Sequence, residues 1–247
     1  MLFSLHTRWT LPVRSYGVAL FMLLAGCASG PAPIPIYQDQ RSVVELRFDP
    51  KAGTGHSHPA TLTAEQVGSL LRSVWIKRRD VATGAGPPAV KEETPAFSPA
   101  DIVVLAPHLS KALSKASRKD LVTFYLAIPD ATHGTVVTSG AVVVRSGLAF
   151  LTLVNCRSYL AGGREMTASA ERQIREKPLV SIASDSFLVG FSPGEARVSW
   201  AQLDQRREGY RGGPDEGKVV VIDLARLPVE PPKASAPPGP EPAAPRR

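Results

Sequence analysis

Two histidines separated by a single residue, His56 and His58, form the pattern in this chain that comes nearest to a metal site. Side chains two positions apart in an extended segment point the same way, so both imidazoles could chelate one ion such as zinc. Glycines surround the pair, and no cysteine or carboxylate stands beside it to complete a ligand set. We therefore expect two solvent-exposed loop histidines and predict no metal-ligating residue.

Three other polar groups have ordinary structural explanations. His133 lies in a turn, where it is expected to hydrogen-bond locally, and His108 follows Pro107 on a predicted helix. The run Lys77-Arg78-Arg79 could meet a phosphate or a carboxylate. The preferred interpretation of this run is a solvated helix end, because the negative end of a helix dipole favours cations.

The chain contains none of the short motifs that mark common catalytic centres. It has no Gly-x-Ser-x-Gly, Ser-x-x-Lys or His-Glu-x-x-His sequence, no Walker loop and no Cys-x-x-Cys pair. We therefore assign no catalytic and no cofactor-binding residue, and we expect no cofactor. A site built from dispersed residues stays open, because triads are defined by geometry and not by their order in the chain.

The N-terminal residues place a thiol where lipid can be attached. Arg8 and Arg14 precede the apolar run 17–24, which is too short to span a bilayer permanently and is typical of an export signal. The run ends in Leu24-Ala25-Gly26-Cys27, which combines a branched aliphatic residue, two small residues and a cysteine. This segment resembles the lipobox of bacterial lipoproteins.

The resemblance implies that Cys27 is lipidated. In that family a diacylglycerol is joined to the thiol, the signal is cleaved before the cysteine, and the new amino group is acylated. Two or three acyl chains such as palmitate make release from the membrane slow without any spanning helix. Ala28 occupies the position where an aspartate would direct inner-membrane retention. The resemblance therefore implies the bacterial outer membrane, facing the periplasm, in preference to the inner membrane.

Composition and charge are those of an exported globular domain. Hydrophobic residues make up 43% of the chain and charged residues 21%, near the values for soluble folds. The net charge of +7 falls to +5 when Arg8 and Arg14 leave with the signal. The cations are scattered without interleaved aromatic residues, which argues against nucleic-acid binding. With Cys27 lipidated, Cys156 is the only other cysteine; it ends an apolar run, so we expect a buried structural thiol and no internal disulfide.

Composition divides the chain into four segments. Residues 1–26 are the cleaved signal, residues 27–40 a Pro-rich tether, residues 41–227 one globular domain, and residues 228–247 a Pro- and Ala-rich tail. The tail has too little apolar surface to offset the entropy of ordering, so we expect it to be disordered. One interpretation is a polyproline ligand or an extended arm. The preferred interpretation is a tail without a specific contact.

Hydrophobic periodicity predicts the elements of the domain. Thr63 and Gln66 form a capping box for a helix whose apolar stripe reaches Val74, and Ser98 caps a second helix that Pro107 should kink or split. A loop between these helices is expected over 83–94, and a third helix over 164–177. Strands are expected over 42–48, 121–128, 135–144, 148–154, 179–183, 187–191, 197–200 and 219–224. The order predicts an α+β fold, an antiparallel sheet with two to three helices packed on one face.

The expected function follows from the anchor and the motif search. The sequence indicates a lipid-anchored, non-enzymatic binding or assembly component of a membrane or secretion complex. Its expected partners are the membrane, through the lipid, and a protein of the cell envelope; neither nucleic acid nor a small molecule is implied. The alternative is an envelope hydrolase that acts on cell-wall or lipid substrates.

Replacing the cysteine tests the anchor directly. Cys27→Ser removes the only nucleophile to which the diacylglycerol can be joined, so the variant should incorporate no labelled palmitate and should leave the membrane fraction. Fatty-acid labelling followed by fractionation measures both effects, with Cys156→Ser as the matched control that keeps both. Undiminished labelling of the Cys27 variant would rule out the lipobox.

Overall fold

A computed structural model describes residues 30–78, 92–130, 134–160, 164–182, 187–205 and 216–227 of the chain. The chain divides into two compact units, residues 1–31 and residues 32–247, and the fold described below is that of the second unit. The signal, Cys27, Arg79, His133 and the tail 228–247 all lie outside the described residues.

The described residues form ten strands and four α-helices. The strands are β1 (Ile34–Gln38), β2 (Ser42–Phe48), β3 (Val74–Arg78), β4 (Thr94–Pro95), β5 (Asp120–Asp130), β6 (Gly134–Arg145), β7 (Leu148–Tyr159), β8 (Phe187–Phe191), β9 (Arg197–Val198) and β10 (Val219–Asp223). The helices are α1 (Ala64–Arg72), α2 (Pro99–Lys115), α3 (Arg164–Glu176) and α4 (Trp200–Gln205). None of these helices is long and apolar enough to cross a bilayer. The α+β class is confirmed.

Seven strands form the main sheet, in the order β1-β2-β5-β6-β7-β10-β9, and every neighbouring pair is antiparallel. Strands β5, β6 and β7 make the predicted meander, and β2 has the bounds that its sequence predicts. The turn between β6 and β7 is Ser146-Gly147, with φ of 50° and 78°. Positive φ at both positions matches the twist of a two-residue hairpin, which explains why glycine stands there.

Three strands form a second, smaller sheet in the order β4-β3-β8, and β3 replaces the end of a predicted helix. The apolar stripe predicts helix through Val74, but α1 ends at Arg72 and the Ser73 N–H closes it on the carbonyl of Leu70. Val74 and Ile76 are buried, whereas the residues that follow each of them are half-exposed. This alternation is a strand pattern, so the loop expected over 83–94 does not directly follow a helix; residues 83–91 lie outside the described residues, and Thr94 belongs to β4.

Close packing inside the small sheet depends on one glycine. The indole ring of Trp75 crosses the backbone of Gly190 on β8, its partner in the register. A Cβ at residue 190 would lie 2.0 Å from that ring, so no larger residue fits without moving the tryptophan. Glycine in a strand commonly marks such a close approach.

Helices α1 and α2 begin as their sequences predict. Thr63 and Gln66 form a reciprocal capping box at α1, and Ser98 and Asp101 form the equivalent box at α2. The expectation that Pro107 splits the second helix is wrong, because α2 is continuous over Pro99–Lys115. Proline removes the hydrogen bond to the carbonyl four residues earlier, which belongs to Val103, a residue that is 75% exposed.

The main sheet is covered on both faces. On one face Val44 and Phe124 pack with α1, α2 and the small sheet in a single apolar cluster, so two helices share a face as predicted. On the opposite face Ile174 of α3 packs with Tyr125, and Leu203 of α4 joins a separate cluster near β10. Strands buried on both faces explain the near-continuous apolar runs of the meander.

Several boundaries differ from the sequence predictions, and β5 and β7 extend beyond the predicted ranges 121–128 and 148–154. A strand is predicted over 179–183, but residues 179–182 form a turn followed by irregular chain. The strand expected over 197–200 ends at Val198, because Ser199 and Gln202 form a capping box that starts α4. Strand β1 lies inside the predicted tether 27–40, so the main sheet begins as early as Ile34.

Candidate functional site

The two histidines singled out by the sequence lie inside the protein. His56 is 1% exposed and His58 4% exposed, so the expectation of solvent-exposed loop histidines is wrong. Nε2 of His56 lies 2.9 Å from Oδ2 of Asp49, which is itself 6% exposed. This buried hydrogen bond ties the residue that follows β2 to the middle of the loop that leads to α1.

His58 holds the same loop against the main sheet. Its Nε2 accepts a hydrogen bond from the backbone N–H of Val144 at 3.0 Å, and the neighbouring Ser57 N–H donates to the Val144 carbonyl at 2.8 Å. A ring nitrogen that accepts a hydrogen bond carries no proton, so the imidazole is neutral. Burial, and next the charge of His56, lower the pKa of His58 from 6.5 to about 4.

Glycines let the loop fold back far enough for these contacts. Gly53 and Gly55 have φ of 59° and 97°, values that residues with a Cβ rarely adopt. A Cβ at Gly55 would also lie 3.1 Å from the Cβ and carbonyl oxygen of Arg118, and the His56 N–H donates to that carbonyl at 2.7 Å. A long connection between β2 and α1 that carries glycines and histidines is the sequence signal for internal polar anchors.

The contacts of these side chains clamp the loop to the rest of the fold. Within the described ranges no three histidine, cysteine, aspartate or glutamate side chains converge as metal ligands. The Nε2 atoms of His56 and His58 already face Asp49 and the Val144 N–H, and the two ring centroids are 5.5 Å apart. We call Asp49, His56 and His58 the loop clamp, because each joins the loop to a fixed part of the fold.

The cationic run near residue 78 also turns inward. Lys77 and Arg78 lie on β3, so the interpretation as a helix end is wrong. Nη2 of Arg78 donates to the carbonyls of Cys156 and Arg157 at 2.7 and 3.2 Å, and Nζ of Lys77 lies 3.8 Å from Glu93. The Arg78 guanidinium therefore satisfies backbone acceptors where β7 departs from regular pairing.

Cys156 is buried, as its sequence predicts. Its side chain is fully inaccessible, and Sγ lies 3.7 Å from the carbonyl oxygen of Ala96. The residue after it, Arg157, has φ of 49°, and the pairing of β6 with β7 shifts register nearby. The thiol therefore packs beneath an irregular part of the strand, where it belongs to the main apolar cluster.

Sequence reasoning missed a buried amide that organises the opposite face. Asn155 is 1% exposed; its Nδ2 donates to Ser139 Oγ at 2.9 Å and to the Val180 carbonyl at 2.8 Å. Its Oδ1 accepts the Ile182 N–H at 2.9 Å, and Ser139 Oγ donates to the Pro178 carbonyl at 2.7 Å. Asn155 thus takes the backbone groups that a strand at 179–182 would have paired. The available signal was a polar residue inside an apolar strand.

His108, which lies on α2, stacks on an aromatic ring. The rings of His108 and Tyr37 of β1 are 3.7 Å apart between centroids and inclined by 8°. Partial burial, and next the charge of Lys111, lower the pKa of His108 below its usual 6.5. Tyr37 OH donates to Asp39 Oδ2 at 2.6 Å. The contact joins α2 to the edge strand of the sheet.

Comparisons of this chain with protein-family models, with curated proteins and with solved structures give no match. Function therefore has to be inferred from the chemistry of the chain's own residues. His58 of the loop clamp, Arg78 and Asn155 have one property in common, since each uses a polar side chain to hold backbone groups inside the fold.

The neutral state of His58 predicts a loss of stability in mild acid. The unfolded chain takes up a proton on this residue below about pH 6.5, whereas the folded chain resists it down to about pH 4. The free energy of unfolding should therefore be level above pH 6.5 and should fall as the pH drops from 6.5 toward 4, by at most roughly 3 kcal/mol. Urea unfolding at a series of pH values measures this slope.

A matched pair of variants assigns the slope to His58. His58→Gln keeps an acceptor for the Val144 N–H but does not titrate, so it should flatten the profile between pH 6.5 and 5. His108→Gln, at a half-exposed histidine, should keep most of the slope. Identical slopes for the His58 variant and the unmodified protein would contradict the assignment.

Proposed function

We propose that the protein is a lipid-anchored component of the bacterial cell envelope, attached to the outer membrane and facing the periplasm. In this proposal Cys27 carries the acyl chains, and the domain 41–227 together with β1 acts without catalysis, as a binding or assembly component of a membrane or secretion complex. The four residues Leu24-Ala25-Gly26-Cys27 support the anchor.

The non-enzymatic part of the proposal rests on how the polar side chains are used. A hydrolase needs a nucleophile and a general base that face a space open to substrate. In the loop clamp, Nε2 of His56 faces a buried carboxylate and Nε2 of His58 accepts a backbone N–H. These are contacts that stabilise a fold, and they favour a binding role over the hydrolase that the sequence left open.

The length of the chain between anchor and fold is consistent with this role. Strand β1 begins at Ile34, seven positions after Cys27, and it pairs along β2 as the edge of the main sheet. A lipid on Cys27 therefore holds the sheet by its edge strand and needs no further membrane segment. A domain held in this way can present its remaining surface to other proteins of the envelope.

Purification from membranes tests the proposal. The acylated protein, extracted in mild detergent, should elute together with at least one envelope protein at a fixed ratio, measured by size-exclusion chromatography with light scattering. The Cys27→Ser variant, released from the membrane, should lose that partner. Arg41→Glu, which alters an exposed residue on the β1–β2 turn, provides a control that retains the anchor.

The same preparation tests the hydrolase. Purified acylated protein incubated with isolated cell wall and with phospholipid should release no soluble wall fragments and no free fatty acid beyond a protein-free blank. Elution as a lone protein, combined with release of either product in proportion to enzyme concentration, would contradict the assembly role and favour hydrolysis.

A further inference from the structure

Exposed cations gather at one end of the main sheet. At this end β1 starts, β2 ends and β5 starts, and α2 finishes beside them. The exposed cations are Lys51, Lys111, Lys115, Arg118 and Lys119. We call the surface that these five residues form the tether end, because the chain from Cys27 enters the sheet there.

Backbone contacts hold these cations together although they come from separate segments. The Asp49 N–H donates to the carbonyl of Lys119 at 2.7 Å, and the His56 N–H donates to the carbonyl of Arg118 at the same distance. Nη2 of Arg118 donates to the Thr54 carbonyl at 3.2 Å. The loop that carries Lys51 is thus fixed against the turn after α2, so the tether end is part of the folded domain.

The carboxylates at the tether end leave these charges largely uncompensated. Asp49 is buried, and its Oδ2 faces His56 in the loop clamp. Asp120 is half-buried, and its Oδ2 accepts the backbone N–H of Ser117 at 2.7 Å. No ion pair to any of the five cations occurs at this end of the described chain. The surface is therefore strongly positive.

Two large apolar side chains stand beside the cations. Ile34 is 57% exposed at the start of β1, and Phe48 is 41% exposed at the end of β2. Ile34 pairs with Leu46 of β2, and Phe48 is two residues further along that strand. Measured along the strand, Ile34 and Phe48 are therefore about 7 Å apart. Exposed apolar groups among lysines are the combination that interfacial membrane surfaces use.

Covalent geometry keeps this surface close to the proposed anchor. Seven residue steps separate Cys27 from Ile34, and a fully extended chain spans at most about 3.6 Å for each step. The segment from Cys27 to Ile34 therefore reaches at most about 25 Å. This reach is shorter than the thickness of a bilayer hydrocarbon core, which is about 30 Å. A lipid on Cys27 would therefore keep the start of β1 near the leaflet that holds it.

We propose that the tether end docks on the anionic leaflet that holds the acyl chains, with the five cations at the lipid phosphates and with Ile34 and Phe48 at headgroup depth. This docking rests on the proposed lipid anchor. Lysine and arginine side chains near an anionic surface each contribute through the surface potential, and the contribution fades with salt because the Debye length shortens. The anchor supplies attachment, and the tether end supplies orientation.

Spin labels on the full acylated protein test the orientation. The protein is reconstituted into vesicles of phosphatidylethanolamine and phosphatidylglycerol, with a label at Phe48→Cys or, as control, at Val103→Cys, which is 75% exposed on the N-terminal half of α2. Cys156 is fully buried and should stay unlabelled. The Phe48 label should collide more with oxygen than with a water-soluble nickel chelate, and the Val103 label should show the reverse.

Charge reversal tests the electrostatic part. Lys115→Glu with Lys119→Glu should lower the ratio of docked to undocked protein at least 25-fold, at roughly fivefold for each cation removed from an anionic surface. Arg41→Glu with Arg172→Glu makes the same change in net charge at exposed positions on the β1–β2 turn and on α3, and it should leave the ratio within about twofold. Vesicles of phosphatidylcholine alone should abolish docking of the unmodified protein.

Each outcome decides between the two proposals. A Phe48 label that stays in water, or equal docking on neutral and anionic vesicles, overturns the docking when intact mass shows the acyl chains in place. A mass without acyl chains overturns the anchor and with it the docking. Thermal unfolding of every variant confirms that a lost signal reflects charge and not loss of the fold.

Discussion

The buried contact between Asp49 and His56 determines where the loop after β2 goes, and much of the structure depends on that path. Because the loop is pulled inward, its backbone reaches Arg118 and Lys119 on one side and Val144 on the other. Three segments far apart in sequence are thereby joined at one end of the main sheet. A buried polar pair of this kind is costly when one partner is removed, since the other is left without its hydrogen bond.

Features with a local physical cause were predictable from the sequence. The caps at Thr63 and Ser98 are formed by residues three positions apart, and the alternating or continuous apolar runs of β2 and the meander report burial directly. Val74 satisfied both a helical and a strand period, and the choice between them came from pairing with β8, far along the chain. The prediction that Pro107 splits the second helix is wrong, because α2 continues through that residue, and spacing within one element does not show whether a helix tolerates a proline.

The polar contacts inside the fold could not be predicted from the sequence, because their partners lie far away along the chain. The loop clamp needs Val144, and Asn155 needs the turn around Val180; neither partner can be identified from spacing within a single element. Glycines at 53 and 55 favour an exposed loop when only the sequence is considered, whereas their positive φ lets the loop turn inward. By contrast, Cys156 was predicted correctly because a small apolar-like thiol at the end of a buried run needs no distant partner.

The loop clamp helps to form the tether end, because the loop that Asp49 and His56 hold in place carries Lys51 and braces Arg118. We infer a domain that acyl chains hold at its edge strand and that lies against the leaflet through this surface. Neutron reflectometry of the acylated protein on a supported bilayer containing phosphatidylglycerol tests that picture most directly. The account predicts a protein layer that adjoins the headgroups without intervening solvent; a distinct water layer between them, or loss of the protein on rinsing, would contradict it.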